Sequence, residues 1–125
     1  MFYKMIFSES LRKNRDFQTV YREGTSIANR YLVMYVKKNG LEKNRIGISV
    51  SKKVGNSVVR HHLTRLIREG YRLNEKKFRK GSDVVVIARA NAKDCTYFEI
   101  ERAICHLAGL HHILEKKEDD EKSID

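Results

Sequence analysis

Residues 51 to 72, SKKVGNSVVRHHLTRLIREGYR, carry six Lys or Arg side chains and one acid. Side chains of this kind hold anions. Arginine's planar fork matches the oxygens of a phosphate, and lysine adds a compact point charge. At 100° per residue, Val59, Leu63, Leu66, Ile67 and Gly70 fall on one arc of a helix. Arg60, His61, Thr64, Arg65, Arg68 and Arg72 form the arc opposite, and Lys52 and Lys53 arrive just before the helix. Glu69, the one acid, sits at the edge beside His62. Like charges this close repel by tenths of a kcal/mol per pair. A polyanion relieves that repulsion, and nucleic acid supplies regularly spaced phosphates. A plain solvated helix face is the alternative.

Other chemistry is poorly supported. There is no GxxxxGK[ST] or GxGxxG, so KKVGNS reads as a turn. His61-His62 and His111-His112 are adjacent pairs that diverge by 100° on a helix, without the i, i+4 spacing of a two-histidine metal face. His61 reads as a nucleic-acid or solvent contact and His111 as a core position on a helix face. Asp16, Glu23, Asp83 and Glu99 read as caps and surface charges, and no carboxylate can be paired with a histidine for acid–base work. Cys95 and Cys105, ten apart without CxxC spacing, read as free thiols. No catalytic or metal-ligating residue is assigned.

The elements that position the cationic arc follow from periodicity. Asn14 caps a short helix, RDFQTVYRE, that ends before Gly24 and puts Phe17, Val20 and Tyr21 on one side. RYLVMYVKK alternates as a strand, with Tyr31, Val33 and Tyr35 against Leu32, Met34 and Val36. RIGISVS is a second strand: Ile46, Ile48 and Val50 face one way, and Gly47, Ser49 and Ser51 the other. Such a strand has a core side and an open floor. Asn56 or Ser57 caps the central helix, SDVVVIARA is a third strand after Gly81, and TYFEIERAICHLAGLHHIL closes the fold as a helix. The apolar face of that last helix is Tyr97, Ile100, Ile104, Leu107, His111 and Leu114, with Cys105 off to the side. The α-β-β-α-β-α order predicts a two-layer α/β (α+β) sandwich with one mixed sheet packed by helices.

With 125 residues, 41% of them apolar, the chain has enough for one domain with a core. The formal charge is +10 overall. The last eleven residues, with six acids and three bases, contribute −3, which leaves +13 on residues 1–114. That split predicts one folded domain over 1–114 that favours a polyanion, a merely soluble basic protein being the alternative, and an acidic, frayed tail over 115–125. No apolar run reaches the ~18 residues that span a bilayer, and the N-terminus lacks a signal-peptide core, so the expected compartment is the cytoplasm.

RIGISVSKKVGNSVVRHHLTRLIRE resembles the signature segment of the bacterial ribonuclease P protein component family. The similarity extends to LRKNRDFQTVYREGTSIANRYLVMYV before it and GSDVVVIARANAKDCTYFEIERAICHL after it, covering roughly residues 10 to 108. The resemblance implies a small fold shared with a ribosomal-protein domain, with an unusual left-handed β-α-β crossover; right-handed crossovers hold in about 98% of cases. It implies two partners, a large catalytic RNA and the 5′ leader of precursor tRNA, in a reaction that the RNA carries out with Mg²⁺. The family's RNA-facing helix matches Lys53, Arg60, Arg65 and Arg68. Its leader cleft matches Phe17 and Tyr21 on the first helix, with Val33, Tyr35, Ser49 and Ser51 on the sheet. The family's usual Asn, Arg and Lys are replaced by His61, His62 and Thr64. A structural RNA-binding protein of ribosomal type and a free-standing nuclease are the competing readings. For Phe17 alone, core packing competes with the cleft role.

Overall fold

The computed structural model describes Met5 and residues 7–115. The expected fraying of the acidic tail falls on 116–125, outside the described residues, as do four of the first five residues. In chain order the elements are β1 (Ser8–Ser10), α1 (Asn14–Glu23), β2 (Thr25–Ala28), β3 (Leu32–Lys38), β4 (Asn44–Ser49), α2 (Ser57–Asn74), β5 (Ser82–Ala88) and α3 (Tyr97–Leu110). The five strands form one mixed sheet in the order β1-β4-β5-β3-β2. The three expected strands are its centre. The two added ones are edge strands of three and four residues, too short and polar for alternation to reveal.

β4 and β5 are parallel neighbours, joined through α2 as a β-α-β unit. β3 runs antiparallel to β5, and β2 to β3. On one face of the sheet, Leu32, Met34, Ile46, Val84 and Val86 are buried with Leu63, Ile67 and Tyr71 of α2 and Ile100, Ile104 and Leu107 of α3. The opposite face carries α1 and a smaller buried cluster of Leu11, Val20 and Val85.

Local signals account for most boundaries. The Asn56 side chain accepts from the Val59 amide at 3.0 Å and starts α2. Gly70 lets α2 and α3 approach: a Cβ there would lie 2.9 Å from Ile104 Cδ1. Thr96 and Glu99 form a reciprocal capping box at the start of α3. Two sequence expectations are corrected. The cap position of α1 is Lys13, without a side-chain cap bond, and Asn14 is already helical. α3 stops at Leu110: His111 caps it and sends its ring nitrogen to the Met34 carbonyl at 2.9 Å, and His112 turns left-handed at φ 59°. Leu114 therefore pairs with Phe78 as a β-bridge and is not part of the helix face.

Candidate nucleic-acid interface

The floor of the expected groove can be read from the sheet register. Ser49, Ile87, Val33 and Ala28 form one row across four strands, and Gly47, Val85, Tyr35 and Ser26 form the next. α1 crosses the second row. Phe17 packs on Gly47, and Tyr21 meets Tyr35 edge-on with ring centroids 5.1 Å apart. The Phe17 and Tyr21 rings are 6.4 Å apart. Burial pushes the Tyr21 phenol up, while a hydrogen bond with Ser49 works against that shift. Phe17, Tyr21, Val33, Tyr35 and Ser49 are all half-buried, and Ser51, just beyond the end of β4, is exposed. Phe17 packs against the small cluster and keeps part of its surface outside.

The sequence missed Ile87, half-buried in the same row as Ser49 and Val33. Alternation in SDVVVIARA would have found it, since Asp83, Val85 and Ile87 share the face that points away from Val84 and Val86. Asp83 also departs from its expected role as a surface charge. It is buried under α1, where Arg45 Nε and Nη2 donate to its two oxygens at 2.8 and 2.6 Å and Asn39 adds a bond of 2.9 Å. Asp16 of α1 lies 4.0 Å from the same guanidinium. Burial raises the Asp83 carboxyl, but the Arg45 and Asn39 hydrogen bonds outweigh it, and the net shift is downward. Arg45 and Asp83 pin the α1 end of the groove.

On α2, His61 and Arg65 are exposed, as are Lys52 and Lys53 in the preceding turn. Arg68 and Arg72 are half-buried, and Arg72 bonds Glu69 one turn back, Nε to Oε2 at 3.4 Å. Arg60 is the correction on this face. It lies seven residues before Ile67, hence about 20° from it, so it turns toward the buried side and not away from it. Its Nε is buried without a hydrogen-bond partner. Between the cations sits Val58, 75% exposed, which lines a shallow depression with Ser57, His61, His62 and Arg65. Sequence reasoning assigned it no role, since one exposed valine carries no periodic signal. Among the described residues, no group of three or more His, Cys, Asp or Glu is placed to hold a metal ion. No helix among them is long and apolar enough to cross a membrane.

A half-buried aromatic cluster over the sheet and a cationic helix face therefore stand on one small fold. A family model, Ribonuclease P, matches residues 5–111. The chain belongs to the ribonuclease P protein family. The ribonuclease P protein component of Lachnoclostridium phytofermentans is 58% identical over 113 residues, covering 90% of this chain and 97% of that one. The same component from Alkaliphilus metalliredigens is 55% identical, covering 80% and 90%. Among solved structures, the RNase P protein of Staphylococcus aureus superposes with a TM-score of 0.78 at 38% identity, covering 85% of this chain and 97% of that one. That of Thermotoga maritima gives 0.75 at 35%, covering 80% and 94%. The five-stranded mixed sheet packed by helices is the fold of ribonuclease P proteins.

Proposed function

We propose that this chain is the protein subunit of a ribonuclease P ribonucleoprotein that matures the 5′ ends of tRNA. It binds the catalytic RNA through the α2 face (Lys52, Lys53, His61, Arg65, Arg68 and Arg72, with Arg60 at the margin). It binds the 5′ leader of precursor tRNA in the groove formed by Phe17, Tyr21, Val33, Tyr35, Ser49 and Ser51. The observation that carries this reading is the half-buried row Ser49–Ile87–Val33 beside the Phe17 and Tyr21 rings. Aromatic rings beside a half-buried, uncharged floor suit an unpaired strand whose bases stack. A protein that only held folded RNA would need the cationic face alone.

Catalysis belongs to the RNA in this proposal, and Mg²⁺ belongs with it. The described residues offer no cluster of metal ligands, and His61 and His62 have no carboxylate bonded to them among the hydrogen bonds and ion pairs of the described residues. The test is cleavage of precursor tRNA by the purified protein, by the catalytic RNA, and by the two together at low Mg²⁺. Cleavage that requires the RNA and is raised by the protein supports the proposal. Cleavage by the protein alone would make it a nuclease. RNA binding without any effect on cleavage would make it a structural RNA-binding protein.

A further inference from the structure

The geometry points to a third surface, a cavity of about 830 Å³ at the end of the sheet where β3 finishes and β5 begins; we propose that it takes a short stretch of RNA backbone by its phosphates. It is lined by Lys37, Lys38, Arg79 and Lys80, with His111 and His112 on one wall. The single carboxylate in the lining is Glu23, which is exposed and already pairs with Arg22 at 3.2 Å. Among the described residues, none of the four cations makes an ion pair. Asp83, the register partner of Lys37, is taken by Arg45 and Asn39.

This cavity is distinct from both surfaces described above. The groove row contains the Val33–Ile87 pair, and the cavity rim contains the Lys38–Ser82 pair. Five residues of strand separate them, roughly 17 Å at about 3.4 Å per residue. The loop that delivers Lys52 and Lys53 into α2 leaves β4 at the groove end of the sheet. A strand lying in the groove therefore does not reach the cavity without running several nucleotides further.

The backbone that carries the cations is held in place. The Asn39 amide bonds the Gly81 carbonyl at 2.9 Å, and the Arg79 amide bonds the Ile113 carbonyl at 2.7 Å. These bonds join three chain segments around one concavity. Lys37 Nζ donates to the Lys38 carbonyl at 3.2 Å, and Lys80 Nζ lies 5.9 Å from the Phe7 ring centroid. Four cations around a concave surface focus positive potential on a polyanion. The bland alternative is that they offset the negative C-terminal end of α3.

The inference rests on the RNA-binding reading, and the experiment keeps the two separable. Lys38→Ala/Arg79→Ala changes two exposed side chains in the full-length chain, and Arg65→Ala serves as the reference on α2. Each protein is titrated against catalytic RNA alone, then as assembled enzyme against precursor and mature tRNA, over a range of salt. The double variant is expected to lower the salt slope by about two and the affinity by roughly tenfold in one of these arms. A loss in the first arm assigns the cavity to the catalytic RNA, and a loss in the second to the substrate. If Arg65→Ala weakens RNA binding while the double variant lowers only the melting temperature, or changes nothing, the cavity inference is overturned and the α2 reading stands. If neither protein changes in any arm, the RNA-binding reading has failed as well.

Discussion

Phe17 rests directly on Gly47: a Cβ built at Gly47 would come within 2.6 Å of Phe17 Cζ and 2.7 Å of Cε1. Gly47 is buried in the middle of a strand, so it is required by this approach and not by an unusual backbone angle. Gly47→Ala should push the ring away from the sheet. Because the ring is half-exposed, it can move outward, and the cost in stability should stay near the low end of the ~1–3 kcal/mol typical of overpacking. The leader groove should suffer more. A thermal melt paired with binding of precursor and mature tRNA checks this, with a falling preference for the precursor expected.

His61 and His62 carry the cheapest test of where the chemistry sits. With the chemistry in the RNA, His61→Ala and His62→Ala should leave single-turnover cleavage at saturating protein within about tenfold, whereas losing a general acid or base costs about 10²–10⁴-fold. Any weakening should appear as assembly affinity. A collapse of the saturated rate with normal binding and folding would place the chemistry on the protein.

The Arg45–Asp83 pair predicts a pH dependence of stability. The Asp83 carboxyl is held below its ordinary value in the fold, so the unfolded chain binds its proton more readily. The stabilisation is complete above the ordinary carboxylate value near ~4 and is lost as pH falls through the lower folded value. Glu99 and Glu101 are shifted in the same direction and add to the slope. Asp83→Asn should flatten the acid limb of melting temperature against pH without abolishing it. Arg45→Ala leaves Asp83 buried with Asn39 as its remaining side-chain partner, and should cost toward the lower end of the ~3–5 kcal/mol for breaking a buried pair. An unchanged acid limb in Asp83→Asn would remove the pair from the account of stability.

What the sequence made legible was whatever repeats with a helix or strand period. Alternation placed β3, β4 and β5 and put Ser49 on the face opposite the main core, whereas Gly47, expected on the same open floor, is buried beneath Phe17. The 3.6-residue period placed Leu63, Ile67 and Gly70 inside. Arg60 escaped because its helix angle, so close to that of Ile67, was outvoted by its charge. Asp83 escaped because a buried acid looks like a surface acid until Arg45, 38 positions away in the chain, arrives beside it. The cavity around Lys38 and Arg79 left no local trace, since its lining comes from four separate stretches of chain.

The last prediction concerns the division of labour between α2 and the groove. Arg65 is exposed and Arg68 half-buried on the cationic face, and in the proposed assembly both hold phosphates of the catalytic RNA. Arg65→Ala or Arg68→Ala should weaken assembly and lower the salt slope by about one counterion each. Phe17 does different work. Phe17→Ala should leave affinity for the catalytic RNA unchanged and reduce the preference for precursor over mature tRNA by about 1–3 kcal/mol, the contribution of one stacked base. Phe17→Leu keeps most of the apolar volume over Gly47, so it should retain stability while losing the stacking. Two titrations decide the matter, one against catalytic RNA alone and one with assembled enzyme against each form of tRNA. Equal losses for the arginine and Phe17 variants in the same titration would mean one surface and not two. If Phe17→Ala unfolds while Phe17→Leu keeps full discrimination, the ring is a packing element and the leader lies elsewhere.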